Sequence, residues 1–282
     1  SEMCIRDRLR GEEFDDQEHQ TDGIEKHTIA EPCGRCGEVK LHIWDFGGQE
    51  IMHATHQFFL TKRSVYVLVL DSRQNEAQSR IEYWLRMIHN FGEDSPVIVV
   101  CNKCDEQGMV LNWRGLQEKY PQIKHFVRRV SCFVDKKKGI DERTGIEGPE
   151  GLRERIRQVV AENLPLVNEP FPNSWRAVKD RLEGDGRDHL EIGEYQCICE
   201  DEGVEEESAQ KTLLGMLHAL GSMLYFADHP LVRDTYIRNP DWVTTGVYAV
   251  LTDERVQKCF GVVPETLLHE ILGELGGNYC GK

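Results

Sequence analysis

Two runs of β-branched residues limit what this chain can fold into: SVYVLVLD at residues 64–71 and SPVIVVCNK at residues 95–103. Neither alternates with polar residues, so each predicts a strand covered on both faces, as in a parallel sheet. Between them, residues 76–91 carry Ile81, Trp84, Leu85 and Ile88 at helical spacing. A strand, a helix and a second strand in that order form a parallel crossover unit. KLHIWDF at residues 40–46 alternates and then turns apolar, which predicts a strand running into the same sheet. FVRRVSC, residues 126–132, is the next expected strand. Residues 148–164 predict an amphipathic helix with Pro165 just beyond its end.

The proline-rich LPLVNEPFP at residues 164–172 marks a boundary. The expected division is an α/β domain over 1–165 and a mostly helical, winged-helix-like α+β second domain over 172–282. In the second, helices are predicted over 174–182, over 208–220 with Gly221 as the stop, after the Asn239–Pro240 pair and after Pro264. Residues 185–207 are acidic and mixed, and a short apolar MLYF follows the second helix. At 282 residues the chain accommodates two domains of ordinary size.

A net charge of −15 argues against nucleic acid as a partner, because phosphate backbones are held by Lys and Arg. No predicted helix of the second domain carries the basic face that reading a DNA groove requires. No apolar run has the length of a membrane span, and the first residues are too charged for a secretory signal. The 10 cysteines are scattered, several inside apolar strands, and are read as reduced thiols in a cytoplasmic protein. CGRCG, residues 33–37, is read as a hairpin turn rather than as half of a zinc site, since no other two ligands can be named. His53 and His56 are taken as packed or surface residues, with a gating role as the alternative. For Arg73, a nucleotide contact, a contact with the second domain and a structural ion pair stay open.

Two motifs carry chemistry. WDFGGQE, residues 44–50, stands where a strand ends and a glycine turn begins, and strand ends of an α/β sheet are where ligands bind. Asp45 there can hold Mg²⁺ through water. Gly48 lets the backbone donate to a γ-phosphate, and Gln49 can orient an attacking water. NKCD follows VIVVC directly. A carboxylate at Asp105 accepts from both the ring N–H and the exocyclic amine of guanine, a donor pair that adenine lacks. Asn102 can bond the base and brace the loop, and the stem of Lys103 can lie along the ring. A buried carboxylate left unpaired beside the wrong base makes that preference steep. The joint reading expects residues 45–49 and 102–105 to emerge side by side from one edge of a single sheet.

With these residues in place, the chain resembles the Roc GTPase domain of Roco proteins followed by the start of a COR domain. IWDFGGQEIMHATHQFFLTKRSVYVLVLDSR and SPVIVVCNKCDE carry the likeness to Roc; FPNSW, LLGMLHALGSMLYF and NPDWVTTGVYAVL carry the likeness to COR. The resemblance implies that Thr21 is the switch threonine meeting Mg²⁺ and the γ-phosphate, and that Ser131 and Cys132 lie in the last base-contacting loop. It implies GTP/GDP and Mg²⁺ as cofactors, and the remaining domains of the same protein as partners. The COR part through which such proteins pair is expected past Lys282, which leaves homodimerisation open. No GxxxxGK[ST] phosphate loop occurs in the sequence. Only a short, charged segment precedes Thr21, so the expectation is a fragment whose first strand and phosphate loop lie before Ser1, and Met3 to Arg8 also resembles translated adapter sequence. The expected function is GTP binding and hydrolysis in the parent protein, with a non-catalytic scaffold as the alternative.

Overall fold

Strands β3 (Tyr66–Asp71), β4 (Val97–Asn102) and β5 (Ile123–Val127) pair in parallel in the order β3-β4-β5. The computed structural model describes residues 2–12, 24–33, 37–47, 56, 59–73, 77–104, 111–130, 140–141, 146–164, 171–226, 235–259, 262–276 and 279. In the central strand β4, Val97 to Cys101 are 0% exposed. Successive side chains of a strand point to opposite faces. Val97, Val99 and Cys101 therefore join one core, with Ile81, Leu85 and Ile88 of helix α2 (Ala77–Gly92) and Leu116 of α3 (Trp113–Lys119). Ile98 and Val100 join the other, with Ile5 and Leu9 of α1 (Glu2–Arg10) and Leu152 and Val159 of α4 (Pro149–Asn163). This is a three-layer α/β/α unit, as the uninterrupted apolar runs require.

Strands β1 (Ile24–Cys33) and β2 (Gly37–Phe46) form a separate two-stranded sheet. Thr28 Oγ1 and His42 Nδ1, one from each strand, lie 3.0 Å apart. Here the structure corrects the sequence reading: β2, which carries Asp45, is not in the sheet that carries Asn102. Among the described residues no strand joins the two sheets. β2 meets the parallel sheet through packing instead, with Ile43, like Val67 and Val69 of β3, against the core of Ile98 and Val100. The next strand is also shifted. β5 starts at Ile123 and stops at Val127, because Arg128 and Arg129 cannot continue a buried strand. Helix α1, strand β1 and helix α3 were not anticipated. Strands β6 (Ile140–Asp141) and β7 (Ile146–Glu147) pair in a short antiparallel ladder.

The chain divides into two compact units. The first comprises Ser1–Gln20, Thr28–Asp45 and Leu60–Glu169; the second comprises Thr21–His27, Phe46–Phe59 and Pro170–Lys282. In the second unit the order is α5 (Asn173–Gly184), β8 (His189–Glu191), α6 (Ile192–Asp201), α7 (Glu207–Ala219), β9 (Leu224–Tyr225) and β10 (Thr235–Ile237). The strands form an antiparallel sheet, β8-β10-β9. Helix, strand, two helices and two strands, with the last strand in the middle of the sheet, is a winged-helix arrangement. Its core gathers Val178, Leu182, Leu190, Tyr195, Leu213, Leu217 and Tyr236. Tyr195 donates to the Gln210 carbonyl at 2.8 Å, and the Gln210 side chain donates to the Val204 carbonyl at 2.8 Å, so these two buried polar side chains are paired.

The acidic stretch that looked formless contains α6. Glu191 and Glu194 form a reciprocal capping box at its start, with the Glu191 N–H donating to Glu194 at 2.8 Å. Helix α7 ends at Gly221, whose φ of +66° suits glycine. Helix α8 (Pro240–Thr252) starts behind Asn239, which accepts from the Asp241 N–H at 3.1 Å. Helices α9 (Glu254–Gln257) and α10 (Glu265–Glu274) complete the unit. Lys211 is the only Lys or Arg on α7, and it pairs with Glu207 at 2.5 Å. No described helix is long and apolar enough to cross a membrane.

Leu213 is 0% exposed in the second core. Leu213→Ala should destabilise that unit by about 2–5 kcal/mol. Lys211→Ala, on the same helix, should cost less than about 1 kcal/mol. Urea unfolding followed by tryptophan fluorescence separates the two.

Candidate functional site

The turn that follows β4 is built from both flanking strands. Asn102 ends β4 and is 1% exposed. Its carbonyl accepts from the Ser72 N–H at 3.1 Å and from the Ser72 hydroxyl at 2.7 Å. Lys103 then takes φ +60°, a left-handed conformation uncommon outside glycine. Its ammonium lies 3.4 Å from Asp71 Oδ2. Asp71 in turn accepts a fork from Arg73, Nε to Oδ1 at 3.0 Å and Nη2 to Oδ2 at 2.7 Å, together with the Arg73 backbone N–H at 3.0 Å. Of the alternatives for Arg73, the structure displays the ion pair. Burial alone would raise the Asp71 pKa, but the Arg73 hydrogen bonds and the nearby Lys103 charge outweigh it and hold the carboxyl at about 2.

On the other side of the turn, Val130 is tied to β4. Its N–H donates to the Cys101 carbonyl at 2.8 Å, and the Cys104 N–H donates to the Val130 carbonyl at 3.2 Å. The Cys104 thiol donates to the Cys101 carbonyl at 3.2 Å. Burial pushes the Cys101 thiol up to about 12, which makes it an inert core residue rather than a nucleophile or metal ligand. Asn102, Lys103 and the residue leading into Ser131 are thus brought together at the C-terminal end of the parallel sheet, where an α/β sheet binds ligands. Asp105, Ser131 and Cys132 themselves lie outside the described residues.

Asp45 stands near the end of β2 and is 9% exposed. Arg6 Nη1 lies 3.0 Å from its Oδ2, and Arg6 Nε lies 2.8 Å from Asp7. Gly48, Gln49 and Thr21 lie outside the described residues. A buried carboxylate at a strand end fits Mg²⁺, which takes hard oxygen donors and commonly uses one or two carboxylates plus substrate phosphates. In this arrangement the Asp45 charge is balanced by the Arg6 guanidinium. Among the described residues no three His, Cys, Asp or Glu side chains cluster as a metal cage.

His56 is 1% exposed and stands edge-on to Phe46, with ring centroids 5.1 Å apart, which agrees with the packed reading. His53 lies outside the described residues. In CGRCG, Cys33 ends β1 and Gly37 begins β2, and these strands share a sheet; residues 34–36 between them lie outside the described residues. The terminal GGNYCGK has the glycine and lysine spacing of a phosphate loop, but it follows helix α10 rather than a strand. Tyr279 in that segment stacks on Trp242, with centroids 5.2 Å apart.

Sequence reasoning passed over Asp71 and Ser72. Their signal was available, since VLVLDS ends in two polar residues at the edge where NKCD also ends. It also passed over Arg6, because nothing in a charged N-terminal segment announces a partner 39 positions away.

Comparison with known proteins gives two family models side by side. One, described as "Ras of Complex, Roc, domain of DAPkinase", matches residues 3–105; the other, "C-terminal of Roc, COR-A domain", matches residues 172–279. The structure of Methanosarcina barkeri Roco2 RocCORdC bound to GDP superposes with a TM-score of 0.83 at 41% identity, covering 95% of this chain and 78% of that one. The probable serine/threonine-protein kinase pats1 of Dictyostelium discoideum is 28% identical over 248 residues, 83% of this chain and 7% of the relative. The Roc-COR-CHAT protease of Runella zeae is 29% identical over 225 residues, 76% of this chain and 23% of the relative. The chain therefore spans under a quarter of the length of these two relatives. The Roc match begins at residue 3, so it takes in the segment compared above with adapter sequence, and that segment forms α1 with Ile5 and Leu9 buried.

The Asp71 carboxyl titrates near 2 in the folded chain against an ordinary 3.8. Its contribution to stability is therefore complete above 3.8 and lost as pH falls towards 2. A carbon-13 NMR titration should find Asp71 still ionised at about pH 3, where ordinary aspartates are mostly protonated.

Proposed function

The chain belongs to the Roco family, a Roc domain followed by a COR segment, and from that premise we propose that it is the guanine-nucleotide switch of a larger protein that binds and hydrolyses GTP. The observation that carries the reading is the turn after β4, where Asn102 and Lys103 are held at the open end of a parallel sheet beside the run-in to Ser131. In this reading Asn102, Lys103 and Asp105 hold guanine, with Ser131 and Cys132 closing over the base. Gln49 orients the attacking water, and the Gly48 N–H meets the γ-phosphate. Asp45 and Thr21 would hold Mg²⁺, which when bound neutralises charge on the phosphates. The Roc part corresponds to 1–165 and the COR part to 172–282. The COR part reads the ordering and release of the switch segments. The GDP held by the Methanosarcina structure supports the nucleotide class.

No GxxxxGK[ST] motif occurs in these 282 residues, and two features support a strand that belongs between β2 and β3. Tyr66 to Val69 of β3 and Leu41 to Trp44 of β2 are only partly buried, although both stretches are strongly apolar. Apolar strands with an open edge are rare in finished sheets. A strand carrying GxxxxGK[ST] would pair with both and bring its loop to the end where Asn102 stands. The second reading, a scaffold without catalysis, rests on the missing loop and on Arg6 holding Asp45 in place of a cation.

Phosphate contacts supply much of nucleotide affinity, so residues 1–282 alone should bind GTP weakly or not at all by calorimetry. A version extended upstream in the source gene through a GxxxxGK[ST] loop should bind tightly and release phosphate. Submicromolar GTP affinity for residues 1–282 contradicts the first expectation. An extended protein that binds no nucleotide supports the scaffold.

A further inference from the structure

The NKCD turn is not self-supporting, and the residues that hold it come from the neighbouring strand. Asp71 and Asn102 are register partners at the ends of β3 and β4. Directly after that pair, Ser72 gives both of its donors to the Asn102 carbonyl, at 3.1 Å and 2.7 Å. Ser72 is 4% exposed, so water is not a ready substitute for either bond. One residue further along each chain, Lys103 adopts its left-handed backbone and sends its ammonium back to Asp71 at 3.4 Å. Asp71 has little freedom to follow a different lysine position, because the Arg73 fork and the Arg73 N–H fix both of its oxygens. A left-handed backbone at a non-glycine residue carries a cost that its surroundings must offset. Here the imposed elements are the pinned carbonyl before Lys103 and the pinned ammonium of Lys103 itself.

We propose that Asp71 and Ser72 are positioning residues for nucleotide recognition: Ser72 sets the backbone of the guanine-reading turn, Asp71 sets the Lys103 side chain over the base position, and Arg73 holds Asp71 in place. The proposal rests on the reading of NKCD as the base site. It adds that selectivity for the base is stored partly in β3, outside the motif. Lys103 reaches its working position before nucleotide arrives, so binding loses less side-chain freedom than a mobile lysine would forfeit. Asp71→Asn keeps the shape and the backbone acceptor but removes the charge that attracts the ammonium. Ser72→Ala removes one of the two bonds to the Asn102 carbonyl and leaves the other.

The test has two arms. The first uses the full chain without nucleotide and measures amide hydrogen exchange. Asp71→Asn and Ser72→Ala should each speed exchange at Cys104 by about tenfold while Val99 and Val100 keep their protection. Unchanged exchange at Cys104, or a uniform loss along β4, overturns the positioning role whether or not nucleotide binds. The second arm uses the chain extended through its phosphate loop and measures GDP affinity in a double-mutant cycle. Asp71→Asn should weaken GDP by about tenfold in the native background and have no further effect in Lys103→Met. Additive losses would show that Asp71 acts through general stability and overturn the proposal. If the extended protein binds no GDP while the exchange arm gives the expected pattern, the nucleotide reading fails and the β3 bracket around the turn stands.

Discussion

The parallel pairing of β4 between β3 and β5 is the constraint on which the first unit depends. Five consecutive residues of β4 are sealed from solvent, and their side chains divide between two cores. A strand so placed cannot slip by one residue without exchanging every core contact for the opposite one. Its C-terminal end is therefore a fixed point. Asp71 on one neighbour and Val130 beyond the other are brought to that point by the register and by two hydrogen bonds to the Cys101–Cys104 segment. The chemistry of the turn follows from this rigidity, because a left-handed lysine needs a frame that does not move.

The two parts of the candidate site differ in how they are held. The turn at Asn102 is supported by groups from its own sheet. Asp45 lies in the β1–β2 sheet, and its carboxylate is met by Arg6 of α1. A buried ion pair is costly to break from one side, since the remaining charge keeps its desolvation penalty without its partner. A cation approaching Asp45 thus competes with a guanidinium already bonded there. The first unit as described combines a settled frame around the Asn102–Lys103 turn with an Asp45 carboxylate that is already met by a guanidinium of the protein.

Much of this was legible in the sequence, for identifiable reasons. Unbroken apolar runs with a helical segment between them gave β3, α2 and β4 with ends correct to within a residue or two, because burial on both faces leaves no other pattern. Prolines and glycines marked the end of α4, the start of α8 and the end of α7. Other elements were not legible. The hairpin strand β1 mixes charge and apolar residues, and its regularity comes from pairing with β2 rather than from its own composition. Helix α6 hides in an acidic stretch because its capping box uses two glutamates instead of a hydroxyl residue. The split into two sheets was invisible, since strand pairing is a property of the whole unit. The support from Ser72 and Asp71 was invisible because it depends on register, which no motif encodes.

The central claim is that the end of β4 reads a guanine ring. A crystal structure of the chain, extended through a phosphate loop and grown with GDP, tests it most directly. The account predicts the guanine ring against the Lys103 stem, with Asn102 and Asp105 within hydrogen-bonding distance of the base and Ser72 still bonded to the Asn102 carbonyl. A base bound elsewhere, or an Asn102–Lys103 turn that unwinds to admit it, would contradict the account.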